Sequence, residues 1–160
     1  MGENLRVHGQ GLVERQVRGP LGAGGTPELV TLSVRKYECQ VCGVVMTVVP
    51  RGVLPGRQYS GSAIALALWL YLLDALSGVA VRERVSPWRP TGRSARRGWA
   101  QLYRWVRDVR SLFRLSRPLP EADHGDVAKR VLFSLVALCP AGLVAPSDAA
   151  RVFAGAASLR

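Results

Sequence analysis

Residues 62–81 read Ser-Ala-Ile-Ala-Leu-Ala-Leu-Trp-Leu-Tyr-Leu-Leu-Asp-Ala-Leu-Ser-Gly-Val-Ala-Val and separate two kinds of sequence. The apolar run before Asp74 is shorter than the roughly 20 apolar residues that a membrane-spanning helix needs. A helix buried in a protein core is therefore favoured over a membrane span. Ser60 or Ser62 is expected to cap this helix, which is predicted to continue through Leu76.

The sequence before this helix is typical of β-strands. Residues 11–18 and 28–37 are predicted strands, and in the second of them Val30, Leu32 and Val34 alternate with polar residues. The Gly- and Pro-rich residues 19–27 form the turn between them, and a third β-branched run covers residues 44–49. The first fifty residues are therefore predicted to form a small antiparallel sheet.

The sequence after residue 78 is typical of helices. Four are expected, at residues 79–85, from Ser94 to about Leu115, from a cap at Asp126 to Cys139, and at residues 147–157. The predicted fold class is α+β. It has a β-rich unit at residues 1–50, a helical unit at 59–117 and a helical extension at 118–160.

The charge of the chain points to a polyanionic partner. Its 22 Lys and Arg exceed its 11 Asp and Glu, which gives a net charge of +11, while 48% hydrophobic residues argue against disorder. Eleven arginines lie between Arg82 and Arg117, against two acids, Glu83 and Asp108. Nucleic acid and anionic membranes are the expected partners of such a segment. Three cysteines make no disulfide framework, and residues 1–25 carry no secretory signal, so a cytoplasmic protein is expected.

A helical wheel over residues 93–114 gathers the arginines on one side. The opposite side is apolar and includes Trp99, Leu102 and Val106 as the supporting core. Such a face suits the major groove of duplex DNA, where Arg binds phosphates and guanine. A solvated face without a ligand and a helix lying on an anionic bilayer are the alternatives. The candidate nucleic-acid contacts are Arg93, Arg96, Arg97, Arg104, Arg107 and Arg110.

Residues 37–43, Tyr-Glu-Cys-Gln-Val-Cys-Gly, contain a candidate zinc knuckle. Cys39 and Cys42 have the spacing of two zinc ligands, and a structural zinc site needs four. His8 is a possible third ligand, whereas Cys139 is better explained as a small buried apolar residue. A redox-active pair is less favoured because a strand, rather than a helix, is expected to follow.

The order of these features resembles the zinc-ribbon and helix-turn-helix regions of bacterial transposase-related proteins. The resemblance covers about residues 5–110. It rests on the Arg-Lys-Tyr-Glu-Cys-Gln-Val-Cys-Gly motif at 35–43, the Leu-Pro-Gly-Arg-Gln-Tyr-Ser motif at 54–60, and the Tyr-Arg-Trp-Val-Arg motif at 103–107. It implies that Cys39 and Cys42 are the second of two zinc-binding pairs, with the first pair expected before residue 5. It also implies that the third helix is the recognition helix, supported by the helix at 79–85.

The sequence carries no recognisable catalytic motif. The acids are scattered, and no phosphate-binding loop or metalloprotease motif occurs. We therefore expect a DNA-binding protein of transposase-related type, with no catalysis of its own and no small-molecule substrate. A membrane-associated protein and an inactive remnant of a mobile-element gene are the alternatives.

Overall fold

The structure, a computed structural model, describes residues 6–96, 98–114 and 122–159. Three strands precede six helices, an α+β arrangement that confirms the predicted fold class. The strands are β1 (Val7–Pro20), β2 (Pro27–Cys39) and β3 (Val45–Val48). The helices are α1 (Gly61–Leu72), α2 (Gly78–Val85), α3 (Arg93–Arg96), α4 (Ala100–Leu112), α5 (His124–Ala137) and α6 (Asp148–Ala157).

The strands form one antiparallel sheet in the order β1-β2-β3. β1 and β2 pair along their whole length, with a register shift between Gly9 and Gly11, and β3 pairs with the end of β2. Most of the sheet is exposed, although Val34 is buried. All three predicted strands are present, and the first two are longer than the sequence indicated.

The end of β1 attaches the sheet to the helices. The Arg18 amide donates to the Gln58 carbonyl at 2.7 Å, and the Ser60 amide donates to the Arg18 carbonyl at 3.1 Å. Gly19 has a φ of +129°, and a Cβ there would lie 2.3 Å from the Cβ of Ala63. Only glycine therefore permits this approach of β1 to α1.

The helical core is built around α1. Ser60 caps this helix by accepting from the Ala63 amide, and residues 61–70 are all buried. α2, α4, α5 and α6 pack against α1, and α5 packs against both α4 and α6. The helical unit predicted at residues 59–117 and the extension predicted at 118–160 thus contribute apolar side chains to one cluster.

The end of α1 and the cap of α5 differ from the prediction. α1 ends at Leu72 instead of Leu76, because Ala75 adopts a left-handed φ of 52° and the Leu76 amide turns back to the Leu70 carbonyl. Asp123, and not Asp126, caps α5 by accepting from the Gly125 amide at 2.9 Å. His8 lies in β1 and His124 at the start of α5, and both are exposed.

The largest correction concerns the helix predicted from Ser94 to about Leu115. It is two helices, α3 and α4, with extended backbone at Trp99 between them. Glycine at position 98 disfavours a continuous helix by about 1 kcal/mol relative to alanine. The Trp99 ring packs on Tyr59 and Trp105 with centroids 5.7 and 4.9 Å apart, which holds the chain in this turn.

In the described ranges, every helix is too short or too polar to cross a membrane. The helix predicted in the apolar run before Asp74 is α1, and its residues 61–70 are buried.

Candidate nucleic-acid interface

α4 is divided into a buried side and an exposed side. Leu102, Trp105, Val109 and Leu112 recur every three or four residues and are buried against α1 and α5. Trp99 and Val106 are partly buried against the same core, so all three predicted supporting residues are confirmed there.

The exposed side of α4 carries the arginines. Arg104, Arg107 and Arg110 are all exposed, and Tyr103, which is 54% exposed, lies among them. We call Arg104, Arg107 and Arg110 the basic face. Successive members are three residues apart, so their side chains project from neighbouring turns of one helix. The prediction that they share a face is confirmed.

One carboxylate lies beside the basic face. The Arg107 Nε atom donates to the Asp108 Oδ1 atom at 2.9 Å, and the Arg57 Nη2 atom lies 3.8 Å from Asp108 Oδ2. The hydrogen bond from Arg107 lowers the pKa of Asp108, and the charges of Arg107, Arg57 and Arg104 lower it further. The same bond raises the pKa of Arg107. Asp108 thus stays ionised and offsets part of the positive charge.

Arg57 is a neighbour of the basic face that sequence reasoning missed. It belongs to the connector between β3 and α1, far from α4 in sequence, and only the tertiary fold brings it to Asp108. The Arg15 Nη2 atom holds this connector by donating to the Arg57 carbonyl at 2.8 Å and to the Leu54 carbonyl. The motif at 54–60 gave no signal for this contact.

The other predicted contacts do not lie on the same helix as the basic face. Arg93 and Arg96 are exposed on α3, so the single wheel over residues 93–114 was wrong for them. Arg97 lies outside the described residues. The structure therefore brings three of the six candidate arginines together on α4 and places two on a separate short helix.

Arg82 and Arg18 have structural contacts instead. Arg82 is 9% exposed, and its Nη2 atom donates to the Ala95 carbonyl at 2.7 Å, which ties α2 to α3. Arg18 of β1 stacks on Trp88 at 5.3 Å from the ring centroid. These contacts order the segment that leads into α4, so Arg82 adds to the charge of the segment without extending from its surface.

The connection between α2 and α4 covers residues 86–99 and includes α3. The short turn of a simple helix-turn-helix does not join these two helices. Within the connection, Ser86 is buried and its Oγ accepts from the Tyr59 hydroxyl at 2.9 Å. Ser86 thus anchors the start of the connection, and the packed Trp99 ring anchors its end.

Cys39 is the last residue of β2, and Cys42 lies in the tight turn that leads from it to β3. The Gly43 amide donates to the Cys39 carbonyl at 2.8 Å, and Gly43 has a φ of +71°, which favours glycine. Hydrogen bonds from the backbone amides of Cys42 and Val41 lower the pKa of Cys39, and the Cys42 side chain adds to this effect. The backbone amides of this turn are thus directed at the Cys39 sulfur.

Two thiols fit two of the four positions of a tetrahedral zinc site. Cys42 is exposed and Cys39 half-buried, so both are accessible to a metal ion. Among residues 6–96, 98–114 and 122–159, no three His, Cys, Asp or Glu side chains cluster as metal ligands. Val7 pairs with Cys39, so His8, the next residue, points to the opposite face of the sheet from Cys39. Cys139, expected to be buried, is half-buried just after α5.

Comparisons with protein-family models, with curated proteins and with solved structures give no significant match for this chain. The resemblance to transposase-related proteins therefore stays a prediction.

Proposed function

We propose that this chain binds duplex DNA through the basic face of α4. The proposal rests on one observation: α4 buries its apolar side in the core while Arg104, Arg107 and Arg110 extend from the other side. Each guanidinium is a permanently charged fork that can bind a phosphate or the edge of guanine. The major groove is wide enough to admit an α-helix.

Neighbouring arginines extend the positive surface. Arg93 and Arg96 are exposed on α3, which directly precedes α4, and Arg57 approaches from the connector. Asp108 opposes them with a single charge. In this proposal α4 enters the groove and α3 contacts the backbone beside it.

The test is a salt titration of binding to random duplex DNA, measured by fluorescence anisotropy. The variant R104A/R107A/R110A is compared with R35A/R130A/R151A, which removes the same charge from exposed positions on β2, α5 and α6. Each phosphate contact contributes about 0.9 to the slope of log affinity against log salt. We expect the first variant to lose up to about 2.7 of this slope, and the control variant to keep it.

Equal slopes for the two triple variants would show that binding follows net charge and would contradict the assignment to α4. A competition with anionic vesicles separates the membrane alternative. If the vesicles displace the protein completely from DNA and the protein sediments with them, the result would favour a membrane-associated helix. A chain that binds neither would be an inactive remnant.

We also propose that Cys39 and Cys42 supply two of the ligands of a zinc site. The accessible thiols and the lowered pKa of Cys39 support this, because zinc binds thiolates. Zinc would then fix the turn between β2 and β3. The measurement is the zinc content of the purified chain and of C39S and C42S, with C139S as the control. Zinc retained by C39S and C42S would overturn the proposal.

We further propose that the DNA belongs to a mobile element, and that the chain acts in the cytoplasm without catalysis of its own. This extends the transposase-like order of motifs at 35–43, 54–60 and 103–107. Selection of bound fragments from a sheared genome tests it. Enrichment of the ends of mobile elements is expected, and even recovery across the genome would contradict it.

A further inference from the structure

A cavity of about 470 Å³ lies between the connector that precedes α1, the end of α4, and Leu159. Its volume is within the range of roughly 300–1,000 Å³ that small-molecule sites occupy. It lies beyond the basic face, at the end of α4 where Ser111, Leu112 and Arg114 line it.

The wall of this cavity is held in place by hydrogen bonds. The Gly61 amide donates to the Gly52 carbonyl at 2.6 Å, and Arg15 donates to the carbonyls of Leu54 and Arg57. A Cβ at Gly52 would lie 3.3 Å from the Cα of Ala157, so the connector also packs closely on α6. Because its wall is already ordered, the cavity does not need to be formed by its ligand.

The lining combines an apolar surface with positive charge. Three arginines, Arg51, Arg57 and Arg114, line the cavity, and the described lining contains no acidic residue. Arg51 and Arg114 are exposed, so their charges are available to a ligand. The apolar lining side chains include Val49, Val53, Leu54, Leu112 and Leu159.

We propose that this cavity binds a small amphipathic anion: a phosphate or carboxylate head group attached to a short apolar chain. The guanidinium forks of Arg51 and Arg114 match the head group, and the apolar lining buries the chain. Neither the head group nor the apolar chain alone is sufficient for tight binding. An inorganic anion leaves the apolar lining exposed to water, and an alcohol leaves the arginines without an anionic partner. Arg57 also belongs to the positive surface proposed for DNA, but Arg51 and Arg114 do not, so binding of the head group does not depend on the DNA contacts of α4.

Octyl phosphate is the probe, titrated into the full chain by isothermal calorimetry without DNA. We expect one molecule to bind per chain, at least tenfold more tightly than inorganic phosphate or octanol. Shortening the alkyl group of the probe to hexyl and then butyl should weaken binding by up to roughly fourfold for each methylene removed. This is the ratio of affinities expected for burial of one methylene.

The variant R51Q/R114Q tests the head-group contacts, and R130Q on α5 is the matched control. We expect the double variant to lose at least tenfold in affinity for octyl phosphate and R130Q to keep it. Both changes are at exposed positions, and circular dichroism checks that the fold is retained. Equal affinity in the double variant, equal binding of inorganic phosphate, or no saturable binding would each overturn the proposal.

A second arm identifies the source of the anion. Sedimentation with phosphatidic acid vesicles that requires Arg51 and Arg114 would assign the head group to a lipid. Binding of octyl phosphate without such sedimentation would assign it to a free small molecule. Because these titrations contain no DNA, failure of the cavity site leaves the proposed DNA binding to be judged by its own salt titration.

Discussion

Replacing Gly155 by alanine should raise the helix propensity of α6 but disturb its packing against α5. In a helix interior, alanine is favoured over glycine by about 1 kcal/mol. At Gly155 of α6, however, an added Cβ would lie 1.8 Å from the Leu135 carbonyl oxygen and 2.8 Å from its carbon. These atoms belong to the backbone of α5, so relief requires the two helices to separate.

The separation needed exceeds 1 Å, since real Cβ contacts lie at 3.0 Å or more. It would open the packing of α6 against both α5 and α1. Overpacking of this kind costs about 1–3 kcal/mol and sometimes more. Because the clash at Gly155 is with backbone atoms, we place the loss at the upper end of this range, which exceeds the gain in helix propensity. We therefore expect Gly155→Ala to lower the free energy of unfolding by about 2 kcal/mol.

Urea unfolding followed by tryptophan fluorescence and by circular dichroism measures this change. Gly142→Ala is the control, because a Cβ at Gly142 meets no atom within 4 Å and its φ is not positive. We expect the control to be neutral or slightly stabilising. A Gly155→Ala protein as stable as the wild type, with an unchanged dependence on urea, would refute the close approach of α5 and α6.

Three further changes test the core, the basic face and the attachment of the sheet. Trp105→Ala removes a buried ring that contacts two aromatic neighbours and should cost about 3–5 kcal/mol in urea unfolding, whereas Tyr103→Ala should cost less than about 1 kcal/mol. Asp108→Asn should tighten DNA binding at low salt, measured by anisotropy. Because the folded protein lowers the pKa of Asp108, the carboxylate stabilises the fold at pH values above the pKa of the unfolded state, which is about 4. The difference in unfolding free energy between Asp108→Asn and the wild type should therefore disappear as the pH falls through the pKa of Asp108 in the folded state. Gly19→Ala should destabilise the junction of β1 and α1, seen as a lower melting temperature, while Gly22→Ala, which has open space around it, should not.

The β-sheet and α1 were predictable because local signals agree with the tertiary packing. The turn residues at 19–27 and the alternation in β2 specify a hairpin, and the Cys-x-x-Cys-Gly motif specifies the turn that leads to β3. The serine that caps α1 and the apolar residues after it specify a buried helix.

The division of α3 from α4 was not predictable from periodicity. A helical wheel places Trp99 near the edge of the apolar side, but it does not weigh the burial of its ring against the cost of leaving the helix. In the fold, Tyr59 reaches Trp99 and Trp105 from the start of α1, more than thirty residues earlier. Burial of these rings favours the turn, and Gly98 makes it less costly.

The same tertiary contacts decide which arginines are available to a partner. A count of charges along the sequence treats the arginines between Arg82 and Arg117 as one charged segment. In the fold, however, Arg82 is buried and donates a hydrogen bond to the Ala95 carbonyl. Conversely, Arg57 joins the basic face from a connector that the count leaves out. The positive surface is therefore a product of how α1 positions α4 and the connector together. It follows that a core substitution such as Trp105→Ala should weaken DNA binding as well as stability, although Trp105 itself contacts no DNA in the proposal.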